Sequence, residues 1–371
     1  MTYNPGNGII TKNIMKTRIL SAAFAVLALA SCAKEPLITQ DRAEAQTCEL
    51  TIRIRQEGEP VTKAENTFDT ELDYEKAINF LQLFVFDSDG LLRHYSTVNN
   101  TESGFKKTVS VSAGEKSVWA VANYKDLSSI KNEDELKAIV VKLEDNSTKA
   151  SKGFVMAGSQ SVNLTGSSAN VTVVMNRLVG RIALASITNN LPPAYGTLTI
   201  NRIFLSNVAG DQVFKGDAQP TLWYNQEGRM DESPRDKTHI INGSTYKASC
   251  DSLTYKEIGT SLAVGSAYSP EGGCLFYGMP NSSTRSPKGF SANPAGQKTV
   301  LVVDATINGE TYYYPVVMKN GLNRNSSYMV YLTITDLGSD DPNYPPLRGS
   351  INVTVNVQKW DVSVSAIEET I

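Results

Sequence analysis

The first residue with a defined chemistry is Cys32, which closes the run Leu29-Ala30-Ser31-Cys32. Lys16 and Arg18 form a short positive region, and Ile19 to Leu29 is an apolar stretch too short to span a bilayer comfortably. Small residues followed at once by a Cys are the pattern of a bacterial lipoprotein signal peptide. The chemistry expected is thioether formation: the Cys32 sulfur takes diacylglycerol, and the amino group freed by cleavage takes a further acyl chain. Two or more chains give stable anchoring where one gives marginal binding. An ordinary secretory signal with an incidental Cys is the competing reading, and the order Leu, small, small, Cys favours lipidation. Met15 reads as the true start, with residues 1–14 an over-called extension.

Other chemistry has few carriers. Once Cys32 holds lipid, Cys48, Cys250 and Cys274 remain, with no C-x-x-C spacing. Cys250 and Cys274 suit either a disulfide in an oxidising compartment or burial as small apolar residues. His94 and His239 stand far apart in polar, loop-like surroundings, outside any H-E-x-x-H pattern, and read as surface residues. No G-x-S-x-G elbow and no P-loop occurs. Asp340 and Asp341 lack the spaced ligands of a calcium loop and read as a solvated turn. Trp223, Tyr224, Tyr312, Tyr313 and Tyr314 could form a carbohydrate platform, but Tyr313 and its neighbours fall in a strand, where packing is the default. No enzyme, no cofactor and no metal is expected.

The elements that carry these residues are mostly short strands. The 371 residues suggest about two domains at the usual scale of roughly 150 each. Hydrophobic residues make up 41%, enough for sizeable cores, and 35 basic against 38 acidic residues give nucleic acid no purchase. Cys48, Leu50, Ile52 and Ile54 alternate with polar residues, the signature of a half-buried strand. Residues 56–71 read as an exposed loop of the kind proteases reach, with Val61-Thr62-Lys63-Ala64 in it. Phe80 to Phe86 is nearly continuous and apolar, as in a central strand covered on both faces. One helix is expected from Asn132, capped by Glu135 three residues on, with Leu136, Ile139 and Val140 as its apolar face. Arg177 to Ile187 is a long strand, and the polar, Pro-rich cluster from Asn189 to Pro193 marks a domain boundary. Later strands include Thr299 to Ile307 and Tyr312 to Met318, with Asn308-Gly309 as a hairpin turn between them. The segment from Val213 to Ser266 yields no clear pattern. Many short strands with one helix predict a mainly β chain of two antiparallel β-sandwich domains in tandem.

The last segment changes parity. Ile351, Val353, Val355 and Val357 share one face of a strand, whereas Trp360, Val362, Val364 and Ala366 share the other. One extra residue sends every later side chain across the sheet. Either a bulge at Gln358 and Lys359 re-aims one strand, or two successive strands serve two different cores.

The stretch from Tyr312 to Pro346, followed by Ile351 to Trp360, resembles the fimbrillin family of Bacteroidetes, the FimA-type subunits of type V pili. Its most specific pieces are Asn323-Arg324-Asn325 leading to Tyr328, Leu332-Thr333-Ile334-Thr335, the turn from Gly338 to Pro342, and the final valine-rich strand. Leu81 to Asp87, Val118 to Asn123 and Asn176 to Leu184 resemble family strands more loosely, and Ala33-Lys34-Glu35 resembles the charged export tags of surface lipoproteins. The resemblance implies transthyretin-like sandwiches, here 48–188 with the one short helix and 189–371 with a terminal donor strand. Before them stand a signal peptide, 1–31, and a lipidated tether, 32–47. It also implies a precursor whose first strand, here Cys48 to Arg55, is cut away by a trypsin-like or gingipain-type protease. A strand from another subunit then fills the groove, satisfying edge amides and apolar side chains together. Lys63-Ala64 stands where the family usually has Arg-Ala, so an Arg-only protease would not cut there; Arg55 is the nearest Arg. With an excisable first strand, the parity change reads best as a boundary, and Trp360, Val362, Val364 and Ala366 become the donor. The expected partners are other pilus subunits, the processing protease, the outer membrane through the lipid, and a host or bacterial surface ligand. The function implied is a cell-surface fimbrial subunit supporting adhesion or biofilm formation. The alternatives are a monomeric surface lipoprotein that binds glycan or host ligand, and a tip or anchor adhesin.

Overall fold

The computed structural model describes residues 47–56, 72–216, 218–225, 240–241, 244–245, 251–283, 297–342 and 349–360. The period-2 segments of the first half become seven strands: β1 (Thr47–Gln56), β2 (Ile78–Asp87), β3 (Leu92–Thr101), β4 (Lys106–Ser112), β5 (Gly114–Ala122), β6 (Met156–Leu164) and β7 (Ser168–Arg177). A short helix, α1 (Asp73–Lys76), precedes β2. The strand order is β3-β2-β5-β6-β7-β1-β4. Only Met156–Arg177 and Ala157–Asn176 pair across β6 and β7, so the sheet folds there into two layers. Between them lie Leu50, Ile52, Ile54, Leu81, Leu83, Val109, Val118 and Val173.

The continuous apolar run in β2 has the expected cause. Leu81, Leu83 and Val85 face this core, and Phe84 and Phe86 face a second one on the other side of the sheet. Neighbouring β5 divides in the same way, with Val118 and Ala120 on the first side and Trp119 and Val121 on the second. The second side is covered by residues such as Tyr124, Leu127, Leu136 and Phe154. The predicted helix is α2 (Glu133–Lys137), N-capped by the Asn132 side chain, which accepts from the Glu135 amide at 2.9 Å. It is shorter than the apolar spacing suggests: Val140 is exposed and begins a short strand.

The second group of strands comprises β8 (Gly180–Asn189), β9 (Leu198–Ser206), β10 (Tyr255–Leu262), β11 (Ala267–Tyr268), β12 (Cys274–Gly278), β13 (Val300–Ile307), β14 (Glu310–Val317), β15 (Ser326–Ile334) and β16 (Ile351–Lys359). One sheet runs β10-β9-β13-β14; the other runs β11-β8-β15-β16, with β12 also on β8. Ile182, Leu184, Ile203, Leu205, Val303, Val330 and Leu332 fill the core between them. Asn308 and Gly309 both adopt positive φ, 53° and 85°, and turn β13 into β14 as the sequence predicts. The boundary predicted at Asn189 falls at the end of β8, whose partners β11, β12 and β15 all come later in the chain.

β16 pairs with β15 in unbroken register from Ile351–Ile334 to Lys359–Ser326. No bulge interrupts it at Gln358 and Lys359, so the parity change falls where the strand ends. Among the described residues, no helix is long and apolar enough to cross a membrane.

Candidate functional site

Every inward side chain of β1 is buried. Cys48, Leu50, Ile52 and Ile54 each expose 0% of their surface, while Glu49, Arg53 and Arg55 face solvent. Both backbone edges are in use: β1 runs antiparallel to β4, from Thr47–Ser112 to Arg53–Lys106, and parallel to β7, from Glu49–Ser168 to Gln56–Met175. Gln56 ties down the far end, its Nε2 donating to the Lys76 carbonyl at 2.8 Å and to the Met156 Sδ at 3.4 Å. Full burial of a large aliphatic side chain is worth about 1.5–3 kcal/mol, so Leu50, Ile52 and Ile54 together contribute roughly 5–9 kcal/mol. That is of the order of a whole domain's stability. Loss of β1 would leave β4 and β7 with unpaired ladders beside an open apolar seat.

A second feature joins α1 to the sheet of β8. Glu75, Arg177, Arg181 and Tyr277 are all buried. Glu75 Oε2 accepts from Arg181 Nη1 at 3.1 Å and from the Leu72 amide at 2.8 Å. Its Oε1 accepts from the Tyr277 hydroxyl at 2.7 Å. Arg177 Nε donates to the Glu75 carbonyl at 2.8 Å, and its Nη1 to Asn325 Oδ1 at 3.1 Å. Burial, and then the Glu75 charge, push the Tyr277 phenol well above its ordinary pKa, so it stays a donor. Trp360 completes the group. Its ring lies 4.6 Å from the Arg177 guanidinium and 5.0 Å from that of Arg181, stacked on Tyr277 with centroids 5.8 Å apart. Two buried cations thus share one indole face, which offsets part of their desolvation, and Arg181 also bonds the Glu75 carboxylate. Gly180 lies between the two arginines; a Cβ there would stand 2.5 Å from the Asn323 carbonyl oxygen, which glycine alone permits.

The sequence-predicted residues fall in several places. Cys32, Lys63, Ala64, Cys250, Val362, Val364, Ala366 and His239 lie outside the described residues. Arg55 is exposed but sits within β1, paired with Val174. Trp360, read as the first donor residue, is fully buried in its own chain, and its amide bonds to the Asn325 carbonyl at 3.0 Å. Cys274 is a buried free thiol, its pKa pushed to about 11 by burial, while Cys250 lies outside the described residues. His94 lies on β3, not in a loop, and is partly buried with its pKa lowered, chiefly by desolvation. Trp223, Tyr224, Tyr313 and Tyr314 are core residues and form no aromatic platform. Among the described residues no group of three His, Cys, Asp or Glu is placed to hold a metal. Sequence reasoning missed the buried polar group; its signal was a pair of arginines, four residues apart, inside the apolar run RLVGRIAL.

The two buried thiols separate the fates of the two halves. Cys48 and Cys274 should both resist alkylation in the intact chain. When β1 leaves, Cys48 should react at once and Cys274 should stay protected, as peptide mass spectrometry would register. Simultaneous labelling of both would mean that losing β1 unfolds the whole chain.

Residues 48–196 match the family model described as major fimbrial subunit protein (FimA). No curated protein matches the chain. Among solved structures, a proposed cell adhesion protein from Bacteroides eggerthii is similar at 21% identity and a TM-score of 0.61, covering 85% of this chain and 97% of its own. A fimbrilin (FimA) from Porphyromonas gingivalis is similar at 16% identity and a TM-score of 0.57, covering 86% of this chain and 99% of its own. A C-terminally truncated tip fimbrial protein from the same organism follows at 14% and 0.52, covering 85% and 100%. At these identities the structures speak for the fold.

Proposed function

We propose that this chain, whose residues 48–196 match the FimA-type major fimbrial subunit model, is a fimbrial subunit assembled by strand exchange at the seat of β1. The observation that carries the reading is β1 itself. It is fully buried and paired on both edges, yet it precedes every other described strand. It joins the rest only through residues 57–71, which contain Lys63 and Ala64, so one cut there severs no other connection. In the precursor, Cys32 carries lipid at the outer membrane, and β1 keeps the seat occupied. A protease that accepts lysine cuts after Lys63. Arg55 is a poor alternative, because a protease must bind its substrate as a free extended segment and β1 is already laddered on both sides. The strand that refills the vacated seat comes from a neighbouring subunit, and Val362, Val364 and Ala366 of this chain serve a neighbour in turn. The tandem sandwiches belong to the same proposal, the strands β1 to β7 receiving and β8 to β16 donating, with the division before Gly180 rather than at residue 188.

In the producing cell, the wild-type chain should lose the fragment from Cys32 to Lys63 and enter SDS-resistant assemblies. Lys63→Gln should retain the fragment and stay monomeric. Immunoblotting without boiling distinguishes the two, and an uncut chain found inside assemblies would end this reading.

A further inference from the structure

We propose that the seat of β1 is shaped for a strand from a different kind of subunit and rejects this chain's own tail. The inference rests on the strand exchange proposed above and adds the chemistry of the partner.

β1 presents five inward positions: Cys48, Leu50, Ile52, Ile54 and Gln56. The first four are sealed from solvent, and the fifth is 5% exposed. At the fifth, the surroundings are the Lys76 carbonyl and the Met156 thioether, 2.8 and 3.4 Å from the Gln56 amide nitrogen. Both are acceptors, so the position calls for a donor. The seat therefore specifies three large aliphatic residues, a small apolar residue before them and a hydrogen-bond donor after them, all at alternate positions.

Residues 361–371 offer one apolar alternation: Val362, Val364 and Ala366. The next position on that face is Glu368, and the one before is Trp360. The opposite face begins Asp361, Ser363, Ser365. Placed in the direction of β1 with Val362 at the Leu50 position, the tail sets Glu368 at the Gln56 position, carboxylate against two acceptors. It also asks for Trp360 at the Cys48 position. A shift of two residues toward Cys48 puts Glu368 on the Ile54 position; a shift the other way draws in Trp360. Running in reverse, the tail puts Glu368 at the Cys48 or Leu50 position or Trp360 at the Ile54 position. Trp360 is already held between Arg177, Arg181 and Tyr277 of its own chain. Every alignment therefore buries an unpaired carboxylate or dismantles a packed tryptophan, and Val and Ala underfill sites built for Leu and Ile. The occupant the seat fits is a segment of another subunit type, aliphatic at four alternate positions with a donor such as Gln at the fifth.

The test uses the full chain with a specific protease site placed within residues 57–71, cut so that β1 stays bound, and with a fluorophore at exposed Thr47. Three peptides compete for the seat: residues 47–56, residues 361–371, and residues 361–371 with Ala366→Ile and Glu368→Gln. The 47–56 peptide should displace labelled β1, and the unaltered tail should be weaker by at least about a hundredfold. The doubly substituted tail should recover at least about tenfold of that, since it restores one aliphatic residue and the donor. Equal displacement by the unaltered tail would overturn the partner assignment while leaving strand exchange intact. Failure of the 47–56 peptide itself to displace β1 would instead bring down strand exchange at this seat, and the partner assignment with it.

Discussion

Arg181→Met should cost the folded chain about 3–5 kcal/mol, read as a fall in the midpoint of urea unfolding at unchanged slope. The change leaves Glu75, buried at 0% exposure, without the cation 3.1 Å from its carboxylate. The Tyr277 hydroxyl and the Leu72 amide remain, but two neutral or backbone donors do not balance a full charge in the interior. Arg177 does not substitute, because its bond goes to the Glu75 backbone carbonyl. The double variant Glu75→Gln, Arg181→Met should be clearly more stable than the two single losses added together, since it removes the stranded charge. Arg181→Lys should fall between wild type and Met: it keeps a cation but loses the bond to Ser327 and the flat contact with Trp360. If Arg181→Met loses less than about 1 kcal/mol, the pair contributes no more than a surface ion pair does, and α1 must be held by something else.

Val362→Asp together with Val364→Asp should remove the chain from SDS-resistant assemblies and leave the monomer's unfolding midpoint where it was. β16 ends at Lys359 and the following residue, Trp360, closes the chain's own core. Two carboxylates placed on the apolar face of a donor would have to be buried in a neighbour's seat without partners, at a cost of several kcal/mol. The same pair should leave cleavage after Lys63 unaltered, because the seat being emptied is in the other half. A folded, cut monomer, freed from the lipid-bearing fragment and absent from the assemblies, is the expected phenotype. A lowered midpoint would show instead that Val362 and Val364 pack within their own chain, and the donor role would fall.

Much of this was legible because burial follows period in strands. The inward set of β1 stood in the sequence as Cys48, Leu50, Ile52 and Ile54, and the two-sided burial of β2 stood in the nearly continuous apolar run from Phe80 to Phe86. What period cannot say is which strand lies beside which. The alternation in β8 is the same whether it meets β7 or, as it does, β15 in parallel over Ser327–Arg181 to Ile334–Asn189. The helix at Asn132 was legible at its cap but not in its length, because Val140 reads as a third apolar contact and is in fact 48% exposed. Glu75 was the least visible of all. It follows a polar stretch that reads as solvated, and only the fold brings Arg181 to it from 106 residues away. Trp360 was visible as a parity change, and its role was the harder part, since the same change fits a donor's first residue and a strand's last.

Trp360 also has a mechanical meaning. If residues 361–371 serve as the donor proposed above, a pull on them reaches the described fold first at Trp360, ahead of the nine residue pairs that hold β16 to β15. Drawn along the strand axis, those pairs would share the load; drawn across it, they would open one at a time from the Lys359 end. In either direction the indole must first slide out from under two guanidinium groups and a tyrosine ring. The residue just past the last described strand thus acts as a stopper at the point where that pull would enter. It shields the ladder behind it from peeling, and it links that point through Arg181 to Glu75.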